Sequence, residues 1–477
     1  MFKDKDINIY MVGIKGVGMT MLAQFLVSKG YCVSGSDVKE EFQTDRTLFN
    51  AKIKVKQGFS LSNFPKKIDL VVRSSAFEID KNIELKFLDK KGLKIISYAE
   101  ALGSLFADYF GVSVCGSHGK TTVTSWLGHV LNKAGLKPNV LSGSYVRQFK
   151  GSSLSGDSKY FIVESDEYQN KLKYFNPKAV ILNNIDFDHP DYFKDEKQYY
   201  KVFLDFIKKI PKEGFLVLNL EDKQSVKVGA KNHGRTIAYC IEEKNNKLKE
   251  SYQKIYQAKN IKTETYGQSF SVYRNGKKFA NFKIKLMGRH NILNSLAVIS
   301  ASLEMGVSLG GLRNNLYSFN GASRRFDVLG KYNGSVIIDD YAHHPSEIKA
   351  CLDAVKQRYK NKKIITVFHP HTVSRTKVLL DDFAKSFVLS DSLFLLEIYT
   401  SAREQGGGLS RVDLLNKVKQ YNLEKNKKQE LKYFKDMKLV EKELKKVAGA
   451  DNVILLMGAG DVFRIAYSLL KINSSNI

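Results

Sequence analysis

The stretch Val112-Ser113-Val114-Cys115-Gly116-Ser117-His118-Gly119-Lys120-Thr121-Thr122 constrains this chain more than any other. An apolar run feeds a glycine-flanked turn, and the helical spacing of Val123, Leu127, Val130 and Leu131 follows at once. Strand, tight turn and helix in that order aim backbone N–H groups and the positive end of a helix dipole at an anion, and the glycines let the backbone approach it. Lys120 is placed to reach terminal phosphates, and the Thr121 hydroxyl to ligate the accompanying Mg²⁺. The usual loop has four residues between its glycines, whereas Gly116 and Gly119 enclose only two. We read Gly116, Ser117, His118, Gly119, Lys120, Thr121 and Thr122 as a nucleoside-triphosphate site.

A chain of 477 residues suggests about three domains at ordinary domain size. Alternating strand and helix patterns predict an α/β fold with three domains: a Rossmann-like domain over residues 1–107, a central P-loop domain over 108–325 and a second Rossmann-like domain over 326–477. The first opens with the apolar strand Ile7–Val12, the turn Gly13-Ile14-Lys15-Gly16-Val17-Gly18, a helical run from Met19 and a short strand ending at Asp37. Its glycines are spaced three and then two, the reverse of the dinucleotide fingerprint, so the turn suits a diphosphate without specifying NAD. In the middle segment, residues 252–282 read as short antiparallel strands and a helix is expected from about Asn291 to Met305.

No run of 18 apolar residues occurs, and the charged N-terminus has no apolar signal region. The four cysteines, Cys32, Cys115, Cys240 and Cys351, lie far apart in apolar or strand-like settings. Reduced, buried thiols and a cytoplasmic location are therefore expected. A net charge of +27 raises nucleic-acid binding as an option, yet the lysines are spread along the whole chain. In the densest stretch, Asn422–Lys446, they alternate with Glu424, Glu430, Asp436, Glu441 and Glu443, which reads as a solvated face.

Further polar clusters follow apolar strands. Glu164-Ser165-Asp166-Glu167 comes after Phe161-Ile162-Val163, where a magnesium ligand belongs beside a phosphate loop. Asn183-Asn184-Ile185-Asp186-Phe187-Asp188-His189 ends the next strand, and His189 offers an imidazole to a metal. Asn294 can pair with an adenine edge through its amide, and Asn291 can cap the helix it opens. Arg324-Arg325 places a fixed cation at a domain junction. Asp339-Asp340-Tyr341-Ala342-His343-His344-Pro345 and His369-Pro370-His371-Thr372-Val373-Ser374-Arg375 are too polar for a core and point to a cleft. There Arg375 suits a substrate carboxylate, and His343 and His344 suit substrate binding or proton transfer.

With these motifs in order, the chain resembles the Mur ligases of bacterial cell-wall synthesis over essentially its whole length. The anchors are Gly13–Met19, Gly116–Thr122, Glu164–Glu167, Asn184–His189, Gly288-Arg289-His290-Asn291, Asp339–Pro345 and Ser401-Ala402-Arg403-Glu404. The resemblance implies an ATP- and Mg²⁺-dependent ligase of peptidoglycan synthesis that joins L-alanine to the carboxylate of UDP-N-acetylmuramate through an acyl phosphate. It implies catalytic roles for Lys120, Glu164, His189, His343 and Arg375. Thr121, Glu164 and His189 would ligate metal. His290, Asn294, Arg325 and Asp340 would join the loop in holding ATP, and Gly13, Gly16, Val17, Gly18, Asp37 and His344 would hold the sugar nucleotide or its partner. The family has glutamine where His369 stands and an arginine-tyrosine pair where Thr372-Val373 stand, so the identity of the added amino acid stays open. Tyr168 is shared with the murein-peptide recycling branch, which attaches a tripeptide and is the alternative within the family. A basic P-loop ATPase acting on nucleic acid is the alternative from another class; no recognition motif accompanies its charge. Neither nucleic acid nor a membrane span is expected, and oligomeric state is not legible.

Overall fold

Short runs rich in Val, Ile and Leu, each closed by a polar or glycine turn, become the strands of three separate sheets. The computed structural model describes residues 2, 6–42, 44–241, 252–398 and 411–472. The Ser401–Glu404 motif lies outside the described residues. Among the described residues, no helix is long and apolar enough to cross a membrane.

The first sheet has five parallel strands in the order Lys54–Gln57, Cys32–Asp37, Asn8–Val12, Leu70–Arg73, Ile95–Ser97. Asn8–Val12 sits at its centre because Ile9 to Val12 are apolar on both faces and fully covered. Connections leave this strand in opposite directions, so a crevice opens beyond its carboxyl end, at Gly13–Gly18.

Seven neighbouring strands of the ten-stranded second sheet run Arg235–Cys240, Phe215–Asn219, Ala179–Leu182, Phe110–Cys115, Tyr160–Glu164, Asn139–Val146, Gly151–Leu154. All neighbours here are parallel except the last pair. Phe110–Cys115 is central and leads through the glycine turn into the helix Lys120–Lys133, which is buried from Thr121 to Leu131. Trp126, the chain's single tryptophan, is buried on this helix. Its Nε1–H donates to Leu316 O at 3.0 Å, and its ring stacks on Phe319 at 5.4 Å.

Contacts divide the chain into two bodies: Met1–Ile185 with Tyr200–Tyr256 and Leu296–Phe319, and Asp186–Tyr199 with Gln257–Ser295 and Asn320–Ile477. The first two sheets share the first body. Phe25 stacks on Phe161 at 4.9 Å, and Lys29 Nζ donates to Gly156 O at 2.6 Å. The strand Lys254–Glu264 begins in the first body and ends in the second. In the second body Gly267–Arg274 and Lys277–Ile284 form an antiparallel hairpin. The third sheet, in the second body, runs Asp327–Tyr332, Ser335–Asp340, Asn452–Met457, Lys363–Phe368, Ser392–Leu395, Glu430–Tyr433, with only its first pair antiparallel.

Three expectations need adjustment. Lys254–Glu264 is an 11-residue strand rather than a short one. The helix expected from Asn291 starts at Arg289 and ends at Glu304, so Asn291 lies inside its first turn instead of capping it. Cys32 is exposed while the other three thiols are buried, because it opens its strand before the core-facing alternation begins.

Trp126→Ala should remove a stacked, hydrogen-bonded side chain from under the phosphate-loop helix, at a cost of about 3–5 kcal/mol. The expected result is a lowered melting midpoint by circular dichroism, with Trp126→Phe falling between; equal midpoints would exclude this anchoring role.

Candidate active site

Three strands of the second sheet end side by side, and their exits carry the polar residues of the first body. Strand register aligns Val114 with Glu164 and Cys115 with Leu182, so the turn after Cys115 lies between Glu164 and Asn183. Gly116 adopts φ +123°, and a side chain there would strike Asn184 O at 2.7 Å. That close approach lets Asn184 organise the turn. Asn184 O accepts from Ser117 N at 3.1 Å, and Asn184 Oδ1 from His118 N at 2.8 Å, while Asn183 Nδ2 donates to His118 O at 3.1 Å. Ser117 and His118 thus spend their N–H groups on the protein. The N–H groups that open the helix at Lys120, Thr121 and Thr122 have no intrahelical carbonyl to reach.

Lys120 Nζ donates to Gly116 O at 2.6 Å, to Ser117 O at 3.3 Å and to Glu167 Oε2 at 2.9 Å. Burial disfavours its charge, but Glu167 and Asp166 outweigh burial and raise its pKa, so the ammonium stays charged. Glu167, absent from the site residues read in the sequence, is thus the counter-charge of Lys120. Thr121 Oγ1 donates to Glu164 Oε1 at 2.8 Å, and Glu164 Oε2 accepts from Gly143 N at 2.6 Å. Neighbouring oxygens around an octahedral Mg²⁺ with bonds near 2.1 Å stand roughly 3 Å apart. The hydroxyl and carboxylate already have that spacing, so this oxygen pair fits a magnesium ion.

At the first sheet, the glycine turn is held mostly by its own domain. Gly13 N and Ile14 N donate to Ser36 O, and Lys15 N donates to Asp37 Oδ2 at 2.6 Å. Asp37 is buried, and it also accepts from Val38 N. The carboxylate of Asp37, expected to hold the sugar nucleotide, accepts from the loop's own backbone. The free donors of this turn are the helix-opening N–H groups of Val17 and Gly18, with Gly16 as the preceding cap residue.

The second body gathers Asp186, Asp188, His189, His343, His344 and Arg375. Arg375 is buried; its Nε donates to Asp188 Oδ1 at 2.8 Å and its Nη1 to His371 O at 3.2 Å. Two guanidinium nitrogens of this expected substrate ligand are thus engaged by the protein. Burial opposes ionisation of Asp188, but Arg375 beside it dominates and holds the carboxyl well below the usual range. The same Asp188 Oδ1 accepts from His189 N at 2.7 Å, and His189 takes the left-handed φ of +59°. His344 is also used internally: Nδ1 accepts from Ser346 N to cap the helix Pro345–Arg358, and Nε2 lies 3.3 Å from Phe187 O. His344, expected to bind substrate, is buried and caps this helix.

His343 differs. Its Nδ1 lies 2.9 Å from Tyr341 O, so it carries the proton and leaves Nε2 as an acceptor. Burial, against an opposing effect of Glu347, lowers its pKa to about 3, so it is neutral. Asp340 accepts from Phe326 N at 2.6 Å and Ala342 N at 2.8 Å, fixing this turn rather than facing a nucleotide freely. Both adjacent arginines lie over the Tyr341 ring, Arg324 at 5.0 Å and Arg325 at 4.9 Å, and Arg324 also donates to Asp339 and to Gly458 O. His290 is neutral, its pKa lowered to about 4 by burial, and Asn294 Nδ2 donates to Asn291 Oδ1 at 3.0 Å.

Arg375→Met should strand Asp188 as a buried, unpaired charge and cost about 3–5 kcal/mol. The double variant with Asp188→Leu is expected to recover most of that loss in thermal denaturation; equal melting of the single and double variants would show that the pair is not coupled.

Comparisons with known proteins identify the family. The Mur ligase family catalytic domain matches residues 8–110, the Mur ligase middle domain 114–302, and the Mur ligase glutamate ligase domain 324–460. The UDP-N-acetylmuramate–L-alanine ligase of Clostridium kluyveri is 37% identical over 466 residues, 97% of each chain. That of Desulfitobacterium hafniense is 34% identical over 97% of this chain and 99% of its own. Among solved structures, the UDP-N-acetylmuramate-alanine ligase of Thermotoga maritima superposes with a TM-score of 0.80 at 25% identity, covering 98% of both chains. A murein peptide ligase of Psychrobacter arcticus shares the fold, with a TM-score of 0.73 at 24% identity over 99% of both. Matched end to end by relatives and by all three of its domains, the chain belongs to the Mur ligase family of ATP-dependent ligases.

Proposed function

We propose that this chain joins L-alanine to the lactyl carboxylate of UDP-N-acetylmuramate at the expense of ATP, in peptidoglycan precursor synthesis in the cytoplasm. The observation that carries the reading is the oxygen pair of Thr121 and Glu164, 2.8 Å apart beside the Lys120 loop, in a chain whose full-length relatives bear that activity in their names. Residues 1–107 take the sugar nucleotide at Gly16, Val17 and Gly18; 108–325 take ATP; 326–477 take the amino acid.

Thr121 and Glu164 would hold a magnesium ion, which supplies charge neutralisation on the triphosphate, and His189 offers an imidazole to a second ion. The N–H groups opening the helix at Lys120 bind phosphate oxygens, and Lys120 leaves Glu167 for the β,γ-phosphates. A carboxylate oxygen of the sugar attacks the γ-phosphorus as the bond to ADP breaks. The resulting acyl phosphate is attacked at carbon by the alanine nitrogen, which loses a proton as inorganic phosphate departs. The protein contributes position and charge. His343, neutral and with Nε2 as acceptor, can orient the amine without competing for its proton. Arg325 and Asn294, with His290, are assigned to the nucleotide.

ADP release should require UDP-N-acetylmuramate, L-alanine, ATP and Mg²⁺ together. Lys120→Ala is expected to lower kcat at least about a hundredfold; undiminished turnover would remove Lys120 from the mechanism. When L-alanine and the muropeptide tripeptide compete in one reaction, mass spectrometry should find the alanyl product in excess. A tripeptide product in excess would reassign the chain to recycling.

A further inference from the structure

One side chain that neither the sequence motifs nor the reaction scheme uses stands against the glycine turn of the first sheet. Tyr98 is the first residue of the helix Tyr98–Phe106, directly after the strand Ile95–Ser97. It therefore emerges at the carboxyl edge of the first sheet, where ligands of such sheets bind. Its position is fixed from below. Ser97 caps the helix, accepting from Glu100 N while Glu100 accepts from Ser97 N in return. Further along the helix, Gly103 packs against Tyr174 O so closely that a side chain there would come within 2.3 Å.

The Tyr98 ring lies against Gly18, the second residue of the helix whose N–H groups we assign to the diphosphate. A methyl group on Gly18 would stand 2.9 Å from Tyr98 Cζ and 3.2 Å from its Oη. The absence of a side chain at Gly18 is what admits the phenol to this place. Asp166 and Glu164 lie near enough for their charges to act on the phenol. A tyrosine hydroxyl is a neutral donor at neutral pH. Among the described residues, no protein group accepts its hydrogen bond. A half-buried phenol, locked in place and facing no protein acceptor, needs an acceptor from elsewhere.

We infer that Tyr98 Oη donates a hydrogen bond to the acceptor carboxylate of the nucleotide sugar. This deepens the function proposed above and rests on it. The sugar nucleotide must run from the diphosphate at Gly18 to the γ-phosphate beside Glu164, and its lactyl carboxylate is the anionic group on that route that the phosphate loops leave without a donor. A neutral donor suits this point. The carboxylate approaches Glu164 and Asp166, which repel it, and a hydroxyl lowers that cost without adding a cation that would compete for the triphosphate.

Tyr98→Phe removes the donor and keeps the ring on Gly18. Calorimetry on the full chain should compare UDP-N-acetylmuramate with UDP-N-acetylglucosamine, which lacks the lactyl carboxylate. The variant is expected to bind UDP-N-acetylmuramate about ten- to a hundredfold more weakly, the usual consequence of losing a hydrogen bond to a charged group. It should bind UDP-N-acetylglucosamine as the unmodified protein does, with KM for ATP and the melting midpoint unchanged. Unaltered affinity for both ligands would overturn the inference and leave Tyr98 a packing residue. Equal weakening toward both would overturn it in favour of a general role in the nucleotide pocket. If the unmodified protein bound neither sugar nucleotide, the proposed function itself would fail first.

Discussion

The hydrogen bond between Thr121 Oγ1 and Glu164 Oε1 is the constraint on which the first body's chemistry rests. It forms only because two parallel neighbours, Phe110–Cys115 and Tyr160–Glu164, end in register, so that a helix launched from one strand meets the carboxylate that closes the other. Gly143 N on Glu164 Oε2 holds the second oxygen from a third strand. Three chain segments, distant in sequence, thereby agree on the position of one carboxylate to hydrogen-bond precision. Parallel topology is the reason: every strand exit points the same way, so acids, amides and the glycine turn collect on a single edge.

The same edge shows how charge is managed before a ligand arrives. Lys120 is held by Glu167 and two loop carbonyls, an arrangement a phosphate can replace because all three partners are acceptors. Burial alone would weaken the lysine's charge, and the acids restore it. Such a preformed cation carries little reorganisation cost when a triphosphate approaches.

Much of this was legible from residues alone. The P-loop stretch, the strands that end in acids and the polar turns of the third sheet read directly from apolar runs and their punctuation. What sequence could not disclose was which polar groups are already engaged. Asp37, His344 and Arg375 carry the right chemistry for substrate, yet their partners are Lys15 N, Ser346 N and Asp188. Residue type states what a group can bind, and only the fold states what else lies within 3 Å of it. Tyr98 failed to register for the complementary reason: it has no motif, and its place depends on an absent side chain at Gly18. Cys32 shows the smaller error of reading an apolar setting as burial at a strand's first residue.

These inward-turned groups are not idle. The second body holds several non-glycine residues in the left-handed region, among them His189 at φ +59°, Arg324 at +60°, Phe326 at +51° and Thr372 at +72°. Such backbone costs about 1–3 kcal/mol per residue where the region is sparsely populated, and each needs a restraint. Asp188 bonds His189 N, Asp340 bonds Phe326 N, and Asp339 with Gly458 O grips the Arg324 side chain. At the turn that Thr372 opens, Arg375 donates to His371 O and Thr376 Oγ1 to Thr372 O. Asp188, Asp339, Asp340 and Arg375 therefore also brace a strained set of turns. The side chains those turns carry include the His189 imidazole, the Arg325 guanidinium and the His343 ring, the groups that the proposed reaction assigns to ligands.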